Sequence, residues 1–162
     1  MRSAECGLFI PHSAFRIPHW VMAPRSVLRL LDANANRALE GLRVCEDVIR
    51  FHLGSARTFR AARTLRHGIA QAIRRLPVDD AALLQAREAR RDVGRRAAAS
   101  RVASLEQLLL INFQRAKEAL RALEEGSRLI APRHAAAFQR LRFRTYEVER
   151  DALLQVAALR HR

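Results

Sequence analysis

The sequence predicts an all-α protein, an antiparallel helical bundle of four long helices with an internal pseudo-twofold repeat. Three observations predict it. Leucine and alanine dominate while strand-forming aromatics are few. Apolar residues recur at steps of three and four along several segments, the period of a helix face. One long segment also recurs later in the chain with its polar residues in place. At 162 residues, the chain has the length of a single domain.

Residues 1–25 stand apart from the rest. Pro11, Pro18 and Pro24 punctuate them, Phe9, Phe15 and Trp20 are scattered, and no helical period appears. One reading makes this a leader that is disordered or an artefact of start-site assignment, with Met22 as the true initiator. The other makes it an arm that packs Phe15 and Trp20 onto a neighbour. The first is favoured, leaving 26–162 as one helical domain.

The first long helix is expected over about 27–53, with Ser26 as N-cap and Gly54 as its stop. Its apolar stripe is Val27, Leu31, Ala38, Leu42, Cys45 and Ile49. Ser55 caps a second helix that reaches about Arg75 before Pro77 ends it. Asp79 or Asp80 caps a short helix through Ala86, and an arginine-rich loop follows over 87–101, containing Asp92-Val93-Gly94. Ser104 with Gln107 forms a capping-box pattern that opens the third long helix, to about Ile130. Pro132 breaks it. The fourth runs from about Arg133, with Phe138, Leu141, Thr145, Val148 and Ala152 on one side. Short connections between long helices argue an antiparallel bundle.

The repeat is specific. Asn34, Arg37, Ala38, Glu40, Leu42, Arg43, Glu46 and Arg50 recur, at one constant offset, as Asn112, Arg115, Ala116, Glu118, Leu120, Arg121, Glu124 and Arg128. Two amphipathic helices share apolar spacing by chance, but shared polar residues are not so easily matched. Duplication of a helix hairpin explains both.

The net charge is +14, almost wholly from arginine, since Lys117 is the only lysine. Such a charge admits nucleic acid, anionic lipid or a phosphorylated small substrate as partner. Arginine is favoured wherever a planar fork must grip phosphate. Cys6 and Cys45 are too few for a disulfide framework, which suggests a reducing compartment. No secretory signal is apparent, and apolar runs such as 108–111 fall far short of the roughly 20 residues of a membrane helix. A soluble cytoplasmic protein without a membrane partner is expected.

Asn34 and Asn112 each lie on the apolar stripe of their helix. Burying an amide without partners costs roughly 1–3 kcal/mol, so each is either part of a register-fixing core network or the lining of a polar cavity. Spacing leaves both open. Arg43, Asp47 and Arg50 share a face with Glu40, and Arg121, Glu125 and Arg128 repeat this with Glu118. On spacing alone, a solvated face of ion pairs is the stronger reading. There is no GxxxxGK[ST] loop, GxGxxG, CxxC, HExxH or GxSxG. Bound phosphate would therefore rest on arginines and helix N-termini.

The stretch DANANRALEGLRVCEDVIRF over 32–51 resembles the opening signature of the all-helical hydroxymethylpyrimidine-phosphate kinase domain, often fused in front of thiamine-phosphate synthase. In order, Leu65-Arg66-His67, Arg87 with Asp92-Val93-Gly94, NFQRAKEALRALEE over 112–125 and LRFRTYEVE over 141–149 agree with it. The resemblance covers about 27–151. Residues 1–25 have no counterpart, no synthase barrel follows, and a stand-alone kinase-like domain over 26–162 is expected. Gly126 and Ser127 replace bulkier residues, which is expected to loosen the end of the third long helix.

The resemblance implies transfer of the ATP γ-phosphoryl group to hydroxymethylpyrimidine monophosphate with Mg²⁺, free hydroxymethylpyrimidine being a poor substrate. It implies phosphate contacts for Arg37, Arg43, Arg115 and Arg121, with Arg66 and Arg142 as second choices. It further implies Asn34 and Asn112 on the pyrimidine, and Asp47, Asp92 and Glu118 on Mg²⁺. A homodimer and a transient contact with thiamine-phosphate synthase are also expected. The rivals are a basic nucleic-acid binder and a metal-independent enzyme of chorismate-mutase type. Acids interleaved among the arginines count against nucleic acid.

Overall fold

The computed structural model describes residues 23–94 and 101–160. The expected leader lies, except for 23–25, outside the described residues, as does 95–100 of the arginine-rich segment. Five helices form the described chain, and no strand occurs among the described residues. They are α1 (Arg25–Val48), α2 (Ala56–Arg74), α3 (Asp80–Ala86), α4 (Leu105–Ile130) and α5 (Pro132–Arg160).

The start of α1 corrects the expected cap. Pro24, extended at ψ 139°, is the N-cap, and no side chain caps the helix. Its carbonyl accepts from the backbone N–H of Val27 and of Leu28, so Ser26 falls inside the first turn. Proline's fixed φ suits this entry, and a cap needs no N–H of its own. At the other end, α1 continues as a π-helical turn over Ile49–Leu53, and Gly54 at φ 63° ends it, a left-handed conformation that glycine adopts without strain.

The remaining caps form as their residue types dictate. The Ser55 hydroxyl accepts from Thr58 N–H, and an Asp79 oxygen accepts from Ala81 N–H. Ser104 accepts from Gln107 N–H at 3.1 Å, while the Gln107 side chain accepts from Ala103 N–H at 2.7 Å. Ala131 alone separates α4 from α5, which opens on Pro132.

Each long helix touches two others in a ring, α1 on α2, α2 on α5, α5 on α4 and α4 on α1, with α3 laid against α1. Leu31, Leu42 and Ile49 of α1 interlock with Phe113 and Leu120 of α4. Leu65 and Ile69 of α2 and Phe138 and Val148 of α5 complete the core. Burying a side chain such as Phe113 contributes about 1.5–3 kcal/mol.

Gly126 does not loosen α4. It is buried, and a Cβ there would come within 2.7 Å of a Leu30 methyl carbon and 3.1 Å of one from Leu31. The absent side chain lets the helices close, and the Ser127 hydroxyl donates to the Glu124 carbonyl within a helix that continues to Ile130. Buried charge is paired throughout this core. Lys117 donates to both carboxylate oxygens of Glu149 at 2.8 and 2.7 Å. No helix among the described residues is long and apolar enough to cross a membrane.

Candidate active site

Between α1 and α4 lies a cavity of about 580 Å³, lined by Asn34, Arg37, Glu40, Gly41 and Val44 from α1 and Asn112, Arg115, Glu118 and Ala119 from α4. The spacing explains the lining. Asn34, Arg37, Glu40 and Gly41 rise at steps of three and four along one helix face, and Asn112, Arg115, Glu118 and Ala119 do the same. The repeat therefore supplies both walls, residue for residue. Gly41 sets their separation, because a Cβ there would stand 3.0 Å from the Asn112 carbonyl oxygen.

Both amides are buried and oriented. Asn34 Nδ2 donates to the Leu30 carbonyl at 2.9 Å, and Asn112 Nδ2 donates to the Leu108 carbonyl at 2.8 Å. Among the described residues nothing donates to either Oδ1. Each amide thus keeps an acceptor and a second N–H, the complement that reads a heterocycle. Arg37 and Arg115 are exposed and, among the described residues, have no carboxylate partner. Two uncompensated guanidinium groups at one cavity are an anion site.

The other candidate arginines are differently engaged. Glu46, fully buried, receives Arg66 Nε at 2.5 Å, with Arg43 at 3.6 Å. Glu124, also fully buried, receives Arg142 and Arg121, at 3.1 and 2.9 Å, and Arg128. Hydrogen bonding to the Tyr146 hydroxyl, opposed by burial and supported by Glu124, holds the Arg142 guanidinium above its ordinary pKa. Asp47 pairs with Arg43 at 3.5 Å, and Asp92 accepts from Gly94 N–H at 2.7 Å. Of the eleven candidates, five therefore line the cavity: Asn34, Arg37, Asn112, Arg115 and Glu118.

Among the described residues, no three His, Cys, Asp or Glu side chains gather into a metal cage. Glu40 and Glu118 are instead the cavity's carboxylates, and Gln114 donates to Glu118 at 2.8 Å. Such a sparse pair suits Mg²⁺, which takes one or two carboxylates and completes its shell with water and substrate phosphate.

Sequence reasoning named neither Glu40 nor the two buried glutamates as site or anchor. The repeat carried the signal in each case, since Glu40 answers Glu118 and Glu46 answers Glu124. Glu46 and Glu124 also follow directly on buried Cys45 and Leu123, where a carboxylate demands a cation.

The chain matches the ThiD2 family over residues 29–151. It is 36% identical over 141 residues to the thiamine-phosphate synthase of Rhodopirellula baltica, an alignment covering 85% of this chain and 37% of that protein. It is 36% identical over 134 residues to the thiamine-phosphate synthase of Synechocystis, covering 81% and 37%. It is likewise 36% identical over 135 residues to that of Nostoc punctiforme, covering 78% and 35%. The chain thus spans little more than a third of the length of these curated relatives. No solved structure matches it.

Proposed function

Because this chain belongs to the ThiD2 family, we propose that it acts in thiamine biosynthesis as the kinase that converts hydroxymethylpyrimidine monophosphate to its diphosphate at the expense of ATP. The α1–α4 cavity carries this reading, for it combines two free arginines, two carboxylates and two half-satisfied amides. The nucleophile is a phosphate oxygen, ionised near neutral pH, so no general base is needed. What the chemistry requires is that two anions be held together while charge on the transferred group is neutralised. Arg37 and Arg115 grip phosphate oxygens, and Asn34 and Asn112 bond the pyrimidine. Glu118 with Glu40 would hold Mg²⁺, which supplies charge neutralisation across the donor phosphates.

The same reading includes a cytoplasmic homodimer in transient contact with thiamine-phosphate synthase, and a pseudo-twofold antiparallel bundle. Matching anchors support the pseudo-symmetry: Arg66 of α2 on Glu46 of α1, and Arg142 of α5 on Glu124 of α4. Nucleic-acid binding is disfavoured by Glu40 and Glu118 beside the only cations of the cavity.

An ATP-consumption assay tests the function. Hydroxymethylpyrimidine monophosphate should be phosphorylated only with Mg²⁺. Free hydroxymethylpyrimidine loses at least two charge-assisted hydrogen bonds of roughly 1.5–3 kcal/mol each, so its kcat/KM should be about a thousandfold lower. Comparable kcat/KM for both acceptors refutes the arginine clamp.

A further inference from the structure

We infer that the two substrates divide the cavity between its walls, with the nucleoside triphosphate held on the α1 wall at Arg37 and the acceptor monophosphate on the α4 wall at Arg115. This rests on the kinase reading and goes beyond it by assigning the halves. Taken alone, the cavity is even-handed. Each wall offers one amide, one free guanidinium and one carboxylate at equivalent helix positions. Two phosphate-bearing ligands, each needing a cation, fit such a division better than one ligand that takes both arginines.

The surroundings are not even-handed. The segment between α2 and α4 has no second copy in the chain, and α3 is laid against α1. Arg87, just after α3, forks onto Asp32 of α1 with Nε and Nη2 donating at 2.8 and 2.6 Å. Arg25 and Glu88 add a second tie at 3.3 Å. Asp32 lies two residues before Asn34, while the equivalent α4 position is the exposed Leu110, which can hold no arginine. The chain then continues through Arg90 and Arg91, both exposed and, among the described residues, without a carboxylate partner.

Arg87 also reaches the cavity electrostatically. Its guanidinium is held above the ordinary value chiefly by Asp32, with a smaller contribution from Glu40, a cavity residue. Positive charge is therefore concentrated outside the α1 wall alone. The more highly charged ligand is stabilised more by that field, and the triphosphate carries the greater charge.

Steady-state kinetics with both substrates varied test the assignment. Arg37→Ala should raise the KM for ATP about tenfold or more, as the loss of one charge-assisted contact does, while the KM for the acceptor stays within about twofold. Arg115→Ala should do the reverse. The Arg90→Ala/Arg91→Ala double variant, which removes no packing contact, should weaken binding of a non-hydrolysable ATP analogue in calorimetry and leave acceptor binding unchanged. A reversed pattern, or both KM values rising equally in either single variant, overturns the assignment while the kinase reading stands. A wild-type protein that transfers no phosphoryl group removes the kinase reading, and this inference with it.

Discussion

Replacing Glu124 with glutamine changes one atom and should cost the fold about 3 kcal/mol. The carboxylate is fully buried, and its Oε2 accepts from Nε and Nη2 of Arg142, both at 3.1 Å. Its Oε1 takes Arg121 at 2.9 Å and Arg128 at 3.3 Å. These partners are unequal. Arg121 and Arg128 are about half exposed and also pair with Glu125, so they return to water at little cost. The Arg142 side chain is only 13% exposed and Glu124 is its one carboxylate, so the loss concentrates there. Breaking one partner of a buried pair costs about 3–5 kcal/mol, and the retained amide oxygen recovers part of it. Urea titration should show a lower midpoint at unchanged slope. Tm should fall by roughly 6–12 °C for a chain of this size. Glu124→Leu combined with Arg142→Met should recover most of the loss, because a packed apolar pair avoids desolvating two charges. A Glu124→Gln protein within about 0.5 kcal/mol of wild type would refute the claim that this pair anchors α5 to α4.

Other outcomes follow from the same structure. Cys45 is fully buried, and burial first, then Glu149 and Glu46, push its thiol well above the usual range; a thiol so raised stays neutral at every pH where the fold persists, so native-state alkylation read by mass spectrometry should leave it unlabelled. Gly41→Ala gains roughly 1 kcal/mol of helix propensity but places a methyl 3.0 Å from the Asn112 carbonyl, so α1 and α4 must part; activity should fall more than tenfold while Tm changes by a few degrees, and full activity would show that the wall spacing is not critical. Ser104→Ala removes the α4 cap and should cost about 1 kcal/mol in denaturant titration.

The helices were legible because an amphipathic period leaves little choice of element. Ser55, Asp79 and Ser104 were legible as caps because a hydroxyl or carboxylate stands directly before that period begins. Ser26 misled, since its residue type promised a cap while Pro24 had already turned the chain into the helix. The cavity was half legible. Asn34 and Asn112 violate the apolar stripe, and Arg37 and Arg115 recur with them. Which arginines are engaged elsewhere was hidden, because Arg66 reaches Glu46 from α2 and Arg142 reaches Glu124 from α5. The Arg87–Asp32 fork joins residues from different helical segments, and periodicity within one helix carries no trace of such pairings.

Lys117 has a consequence for how this protein meets amine chemistry. It is the sole lysine, its side chain is 15% exposed, and both Glu149 oxygens hold its ammonium. Acylating reagents act on the unprotonated amine, so succinimidyl esters should find almost no side chain to modify, and lysine-targeted crosslinkers should bridge little. A lysine-specific endoprotease has one bond to cut, inside α4, and should leave the folded chain whole. The guanidinium groups that supply nearly all the positive charge keep it through every such treatment, so acetylation could alter this protein's surface potential by no more than a single charge per side chain available, and here that means one.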